Sequence, residues 1–182
     1  NFYYDGTNTA WYPVNGCAHS WWENWNDRGR LWSAENDGGG HSYYLNYYYF
    51  KTMHHEFAHI LHQKKPYSTD FNLISGSDYV TDAWSDTWSG DADAQKNGFI
   101  SEYASKEANE DFVELIAVYV TSTAAEWNSV IKNAGDGAAI INAKFDIVYN
   151  YMLNTWGINL DDLREVVQRR QSEIETLDLE TL

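Results

Sequence analysis

The five residues His55-Glu56-Phe57-Ala58-His59 constrain this chain more than any other stretch of it. Residues four apart on a helix stand one turn above each other, so His55 and His59 project from one face and can offer two imidazole nitrogens to a single metal ion. Glu56 stands beside them. A zinc ion held by two histidines keeps positions open for water, and a neighbouring carboxylate can take the proton of that water as it attacks a carbonyl carbon. The surrounding residues support the helix. Phe50, Met53, Phe57, Ala58, Ile60 and Leu61 recur at three- and four-residue spacing, which predicts an apolar side turned to the core and a metal face on the other side. The plainer alternative is a surface helix with idle histidines, which gains little from placing paired imidazoles and a carboxylate on one face. His62 lies nearly on the face of His55 and reads as a solvated helix end, the alternative being a residue that lines the cleft one turn along; His54 points elsewhere and reads as structural.

Pro66 ends this helix, because the residue before a proline is pushed out of the helical region. Tyr67 to Val80 reads as a loop with one strand, and Asp82 to Gly98, rich in Asp, Trp, Ser and Gly, as a surface excursion near the cleft. Asp91-Ala92-Asp93-Ala94-Gln95 with Glu102 faintly follows a calcium loop, but Lys96 stands where that loop needs glycine. Later helices are expected over Glu110 to Ala125, Gly137 to Thr155, closed by Gly157, and from Asn159 or Asp161 through Val167. Residues after Ser172 are acidic and read as frayed.

The length of 182 residues suits one domain spanning residues 1–182 and is short for two. Residues 1–40 show no clear period and read as an irregular, aromatic-rich N-terminal part. Ala18 to Trp32 is a candidate short helix whose Trp21, Trp22, Trp25 and Trp32 pack on one side or form a platform for a sugar or peptide. A net charge of −15 argues against nucleic acid or an anionic membrane as partner. Nine Trp and fourteen Tyr, many set among Asn, Ser, Asp and Gly, suit exported, carbohydrate-rich surroundings. No run of about twenty apolar residues is present to span a bilayer. The single Cys17 excludes an intramolecular disulfide, and the residues before it lack the apolar run of a lipobox. The chain begins at Asn1, as a processed form would.

Two histidines leave a catalytic zinc site short of a third protein ligand. No histidine follows the helix, so a carboxylate from another helix is expected. In Glu110-Asp111-Phe112-Val113-Glu114, the two glutamates lie one turn apart on one face, so that one can bind metal while the other accepts a hydrogen bond from a ligand histidine. The alternative is a solvated helix N-terminus, where acids are favoured by the helix dipole.

Taken together, Tyr49 to Gln63, then Gly98-Phe99-Ile100-Ser101-Glu102-Tyr103-Ala104-Ser105, then Glu110 to Glu114, with Leu160-Asp161-Asp162-Leu163-Arg164 near the end, closely resemble the zinc-binding metallopeptidases of bacteroidete cell envelopes. More remotely the chain is similar to the catalytic domain of anthrax lethal factor. The resemblance covers residues 41–170. It implies a mainly α (α+β), zincin-like domain with a few short strands, and a gluzincin that hydrolyses peptide bonds with Zn2+. It implies Glu110 as third ligand after His55 and His59, Glu114 as the partner of a ligand histidine, Glu56 as general base and Tyr103 as a catalytic tyrosine. It further implies an extracytoplasmic protein, secreted or a surface lipoprotein, acting on a peptide or protein, with cell-envelope glycans as a candidate association. The rival from another class is a catalytically silent zinc-containing module that binds glycan or protein.

Overall fold

The structure, a computed structural model, describes residues 50–173 and the backbone of residues 2–4 and 11–13. Contacts divide the chain into two units, Asn1–Tyr43 and Tyr44–Leu182. In the first, strands β1 (Phe2–Tyr4) and β2 (Trp11–Pro13) pair antiparallel, with Tyr3 opposite Tyr12. The candidate Trp21–Trp32 platform lies outside the described residues.

The described part of the second unit is made of helices joined by turns and short extended links, with no strand among its described residues. Helix α1 runs over Lys51–Lys64, α2 over Asp70–Ser75, α3 over Trp84–Thr87 and α4 over Asp91–Lys96. A 3-10 turn at Tyr103–Ser105 leads into α5 (Ala108–Thr121), followed by α6 (Ala124–Asn133), α7 (Ala138–Trp156) and α8 (Leu160–Glu173). No helix among the described residues is long and apolar enough to cross a membrane.

Helix α5 is the centre of this unit. Every residue from Glu110 to Val120 except Val118 is buried, as in a helix enclosed on all sides. Against it pack α1, α7, α8 and the Tyr103 turn. Phe112 anchors the contact: Tyr67 stacks on it at 3.9 Å, and Phe71 and Tyr151 meet it edge-on. Buried Asp111 is tied by a 2.6 Å ion pair to Lys144 of α7, which also donates to the Gly98 carbonyl, while the Tyr79 hydroxyl donates to the same carboxylate. Complete burial raises the Asp111 pKa to about 6 although Lys144 and Tyr79 oppose the shift.

The helix ends follow local chemistry. Lys65 leaves α1 in an extended conformation ahead of Pro66, and α7 holds it through the Tyr151 hydroxyl on its carbonyl (2.6 Å). Gly157, at φ 68°, closes α7, with the Ile158 N–H returned to the Met152 carbonyl. Asn159 caps α8 through the Asp161 N–H, as its sequence position suggests. Arg164 of α8 donates at 2.6 Å to both the Ser122 and Thr123 carbonyls, satisfying the end of α5, and its guanidinium lies over the Tyr119 ring. Tyr119 and Tyr149 both donate to Asp161. The Leu160-Asp161-Asp162-Leu163-Arg164 segment is thus a clasp between α5, α7 and α8.

Three expectations are corrected. The segment Tyr67 to Val80 contains α2 and a 3-10 turn at Gly76–Asp78 instead of a strand. The helix expected over Glu110 to Ala125 breaks at Ser122, where Thr123 and Glu126 form a reciprocal capping box that starts α6. On α1 the buried residues are His55, Ala58 and Leu61, whereas Met53, Phe57 and Ile60 are 49%, 53% and 52% exposed. The face that carries His55 and His59 is the one packed on α5, because its imidazoles are paired with carboxylates of that helix.

Candidate metal centre

Helices α1 and α5 bring His55, His59 and Glu110 together. Their candidate ligand atoms all lie within 4.8 Å of one another. Oε2 of Glu110 is 3.0 Å from Nε2 of His55 and 3.2 Å from Nε2 of His59, so one carboxylate oxygen faces both imidazoles. Two imidazole nitrogens and a carboxylate oxygen this close together are the donor set of an open, three-ligand zinc site, and the residues present fit that metal.

Each candidate ligand is held from behind. Nδ1 of His55 donates to Oε2 of Glu114 at 2.9 Å. The other oxygen of Glu114 accepts from Ser101 Oγ at 2.8 Å and from Lys51 Nζ at 2.5 Å. With three donors, this carboxylate is held at about 2, well below its ordinary value: burial opposes ionisation, but Lys51 and His55 outweigh it. Burial likewise opposes the charge on His55, yet Glu110 and Glu114 raise its pKa to about 9. Burial also works against ionised Glu110, and hydrogen bonds from His55 and His59 push its pKa far down nonetheless. Nδ1 of His59 meets Nε2 of His62 at 3.0 Å, and His62 is lowered by burial and then by His59.

Glu56 is exposed on α1, next to the ligand face. Tyr103 lies on the turn before α5, its ring 5.7 Å from that of His55, with Trp84 edge-on at 5.0 Å. Burial raises its pKa first and Glu110 second, and Lys106 partly offsets them. The phenol therefore keeps its proton as a donor. Lys106 stands 3.5 Å from Oε1 of Glu110 and over the Tyr103 ring.

Of the six residues singled out from the sequence, the structure brings His55, His59, Tyr103, Glu110 and Glu114 together, while Glu56 is exposed one position after His55. Sequence reasoning missed Lys51, Ser101 and Lys106; of the two readings of His62, a solvated helix end or a residue lining the cleft, the contact of its ring with His59 favours the second. Lys51 precedes His55 by four positions on one helix, which was a usable signal, whereas Lys106 lies before the extended Glu107 that opens α5 and so shares no helical face with Glu110. Ser101 carries no spacing signal, since a loop brings it in. The faint calcium motif folds as α4, where Asp91 Oδ1 accepts from the Glu102 N–H and Asp93 Oδ2 from the Ser89 N–H.

A mainly helical domain in which a His-Glu-x-x-His helix is crossed by a glutamate-bearing helix defines the zincin-like class. The chain belongs to the family described as "Putative zinc-binding metallo-peptidase", whose model matches residues 31–161. It is similar to the crystal structure of a "putative zinc-binding metallo-peptidase" from Bacteroides caccae ATCC 43185, with 42% identity and a TM-score of 0.71. That similarity covers 76% of this chain and 53% of the other, so the chain spans about half the length of that relative. A search among curated proteins finds no match.

Proposed function

We propose that the chain is a zinc-dependent peptidase of the two-histidine, one-glutamate type, with His55, His59 and Glu110 as ligands. The observation that carries this reading is the single oxygen of Glu110 set 3.0 and 3.2 Å from two imidazole nitrogens, with Glu56 one position after His55. When bound, zinc supplies a water of lowered pKa and polarises the substrate carbonyl. Glu56 takes the proton of the attacking water and returns it to the leaving amine. Tyr103, protonated and beside the ligands, donates to the oxygen on which charge develops. Glu114 fixes His55 in the tautomer that leaves Nε2 free. The substrate is a peptide or protein, and the setting outside the cytoplasm is part of the proposal through the family resemblance.

The test is metal analysis of purified protein beside Glu110→Ala and Glu56→Gln, with cleavage of a diverse peptide library assayed on the same samples. The parent should carry stoichiometric zinc and cleave at a definable sequence. Glu110→Ala should lose zinc, and Glu56→Gln should keep zinc and lose cleavage by about 100-fold or more. Zinc retained in Glu110→Ala removes that ligand assignment. A zinc-loaded parent that cleaves nothing in the library, yet binds peptide or glycan, favours the silent binding module.

A further inference from the structure

We propose that His62 is a positioning residue for His59: its Nε2 accepts the Nδ1 proton of His59 and so leaves Nε2 of His59 free for the metal. The inference rests on the zinc reading above. The two rings emerge from α1 three residues apart, on the same side of the helix, and their facing nitrogens are 3.0 Å apart. An imidazole that binds metal through Nε2 carries its proton on Nδ1, and that proton needs an acceptor. Glu114 is the acceptor behind His55. Behind His59 the nitrogen at hydrogen-bond distance is that of His62.

To accept, His62 must be neutral with its own proton on Nδ1. Its ring is fixed by aromatic neighbours: Tyr67 meets it edge-on at 5.6 Å and Phe112 at 6.4 Å. Tyr67 in turn stacks on Phe112 of α5, two residues from Glu110. The rings that form the core beneath the site therefore also set the angle at which His62 meets His59. The two ligand histidines are supported unequally, one by a carboxylate with three donors and one by a neutral ring. A neutral acceptor withdraws the Nδ1 proton less, so His59 is the less basic ligand of the pair.

The experiment measures the zinc dissociation constant by chelator competition at about pH 8, where an imidazole of ordinary pKa is neutral. It compares the parent with His62→Leu and His62→Gln, whose amide oxygen reaches about as far as Nε2. His62→Leu should bind zinc about 10- to 100-fold more weakly. His62→Gln should recover most of that loss. In the zinc-loaded parent, nitrogen-15 NMR should show His59 protonated on Nδ1, with its N–H proton exchanging faster in His62→Leu. Zinc-free melting temperatures of the three proteins control for packing. The inference is overturned by a leucine variant that binds zinc within about two-fold of the parent, or by a glutamine variant that melts like the parent but stays as weak as the leucine variant. A parent that takes up no zinc removes the peptidase reading and this inference with it, an outcome distinct from the other two.

Discussion

Glu114 shows how a buried carboxylate at this site is kept charged. Its two oxygens receive an imidazole N–H, a hydroxyl and an ammonium, at 2.9, 2.8 and 2.5 Å. Each charge-assisted bond offsets part of the desolvation cost, and together they fix the direction in which His55 points. Ser101 has a second duty, since its Oγ accepts from the Ala104 N–H at 3.2 Å. One hydroxyl thus links the turn that carries Tyr103 to the carboxylate behind His55. Removing the carboxylate in Glu114→Ala should weaken zinc about 10- to 100-fold. Ser101→Ala, which leaves the carboxylate and two donors in place, should weaken it by less. Chelator competition on both variants checks the order, and an equal or larger loss in Ser101→Ala contradicts it.

At the scale of elements, the site depends on how α5 is held against α7 and on how the chain enters α5. Asp111 and Lys144 are fully buried and 2.6 Å apart, and Lys144 also satisfies the Gly98 carbonyl. Gly98 stands at φ 87°, and a Cβ there would come 2.5 Å from Ile140 of α7, so the loop toward Ser101 needs glycine. Breaking a buried pair from one side leaves an uncompensated charge. Lys144→Met should therefore cost about 3–5 kcal/mol of stability, and the double variant Lys144→Met with Asp111→Asn should regain a large part of it. Denaturant unfolding of the single and double variants measures both, and a double variant no more stable than Lys144→Met contradicts the account.

Helix existence was legible wherever apolar periodicity ran long or a cap stood in the sequence, as at Gly157 and Asn159. The break at Ser122 was also written, in Thr123-Ala124-Ala125-Glu126, but the apolar period runs past it. The buried side of α1 was misread for a physical reason. Hydrophobic pattern marks a buried face only when burial is apolar, and here the buried side of α1 combines Ala58 and Leu61 with imidazoles that pair with carboxylates of α5. The pairing of Glu110 with Glu114 was visible as spacing, whereas Ser101 depends on a loop whose path no period encodes.

For the molecule as a whole, the proposed zinc site sets proton and metal in competition for the same nitrogen, and that competition makes stability vary with pH. In the zinc-free protein the pKa of His55 rises from 6.5 to about 9. A raised pKa means that the contribution of this proton to stability is complete below about pH 6.5 and is lost as pH climbs through about 9. Glu114, held at about 2, acts in another window: its contribution is present above the ordinary carboxylate range and falls only toward acid. Between about pH 6.5 and 9 the zinc-free melting temperature should therefore fall on account of His55. Zinc requires the same imidazole unprotonated, so uptake in this window releases protons and affinity rises with pH. Binding to the folded state alone adds stability as the logarithm of zinc concentration over its dissociation constant, about 4 kcal/mol at a thousand-fold excess. The gap between zinc-loaded and zinc-free melting temperatures should consequently widen from about pH 6.5 to 9 at fixed free zinc. Calorimetry in two buffers of different ionisation enthalpy should count the released protons. A constant gap with no proton release would place the His55 proton elsewhere than between Glu110 and Glu114.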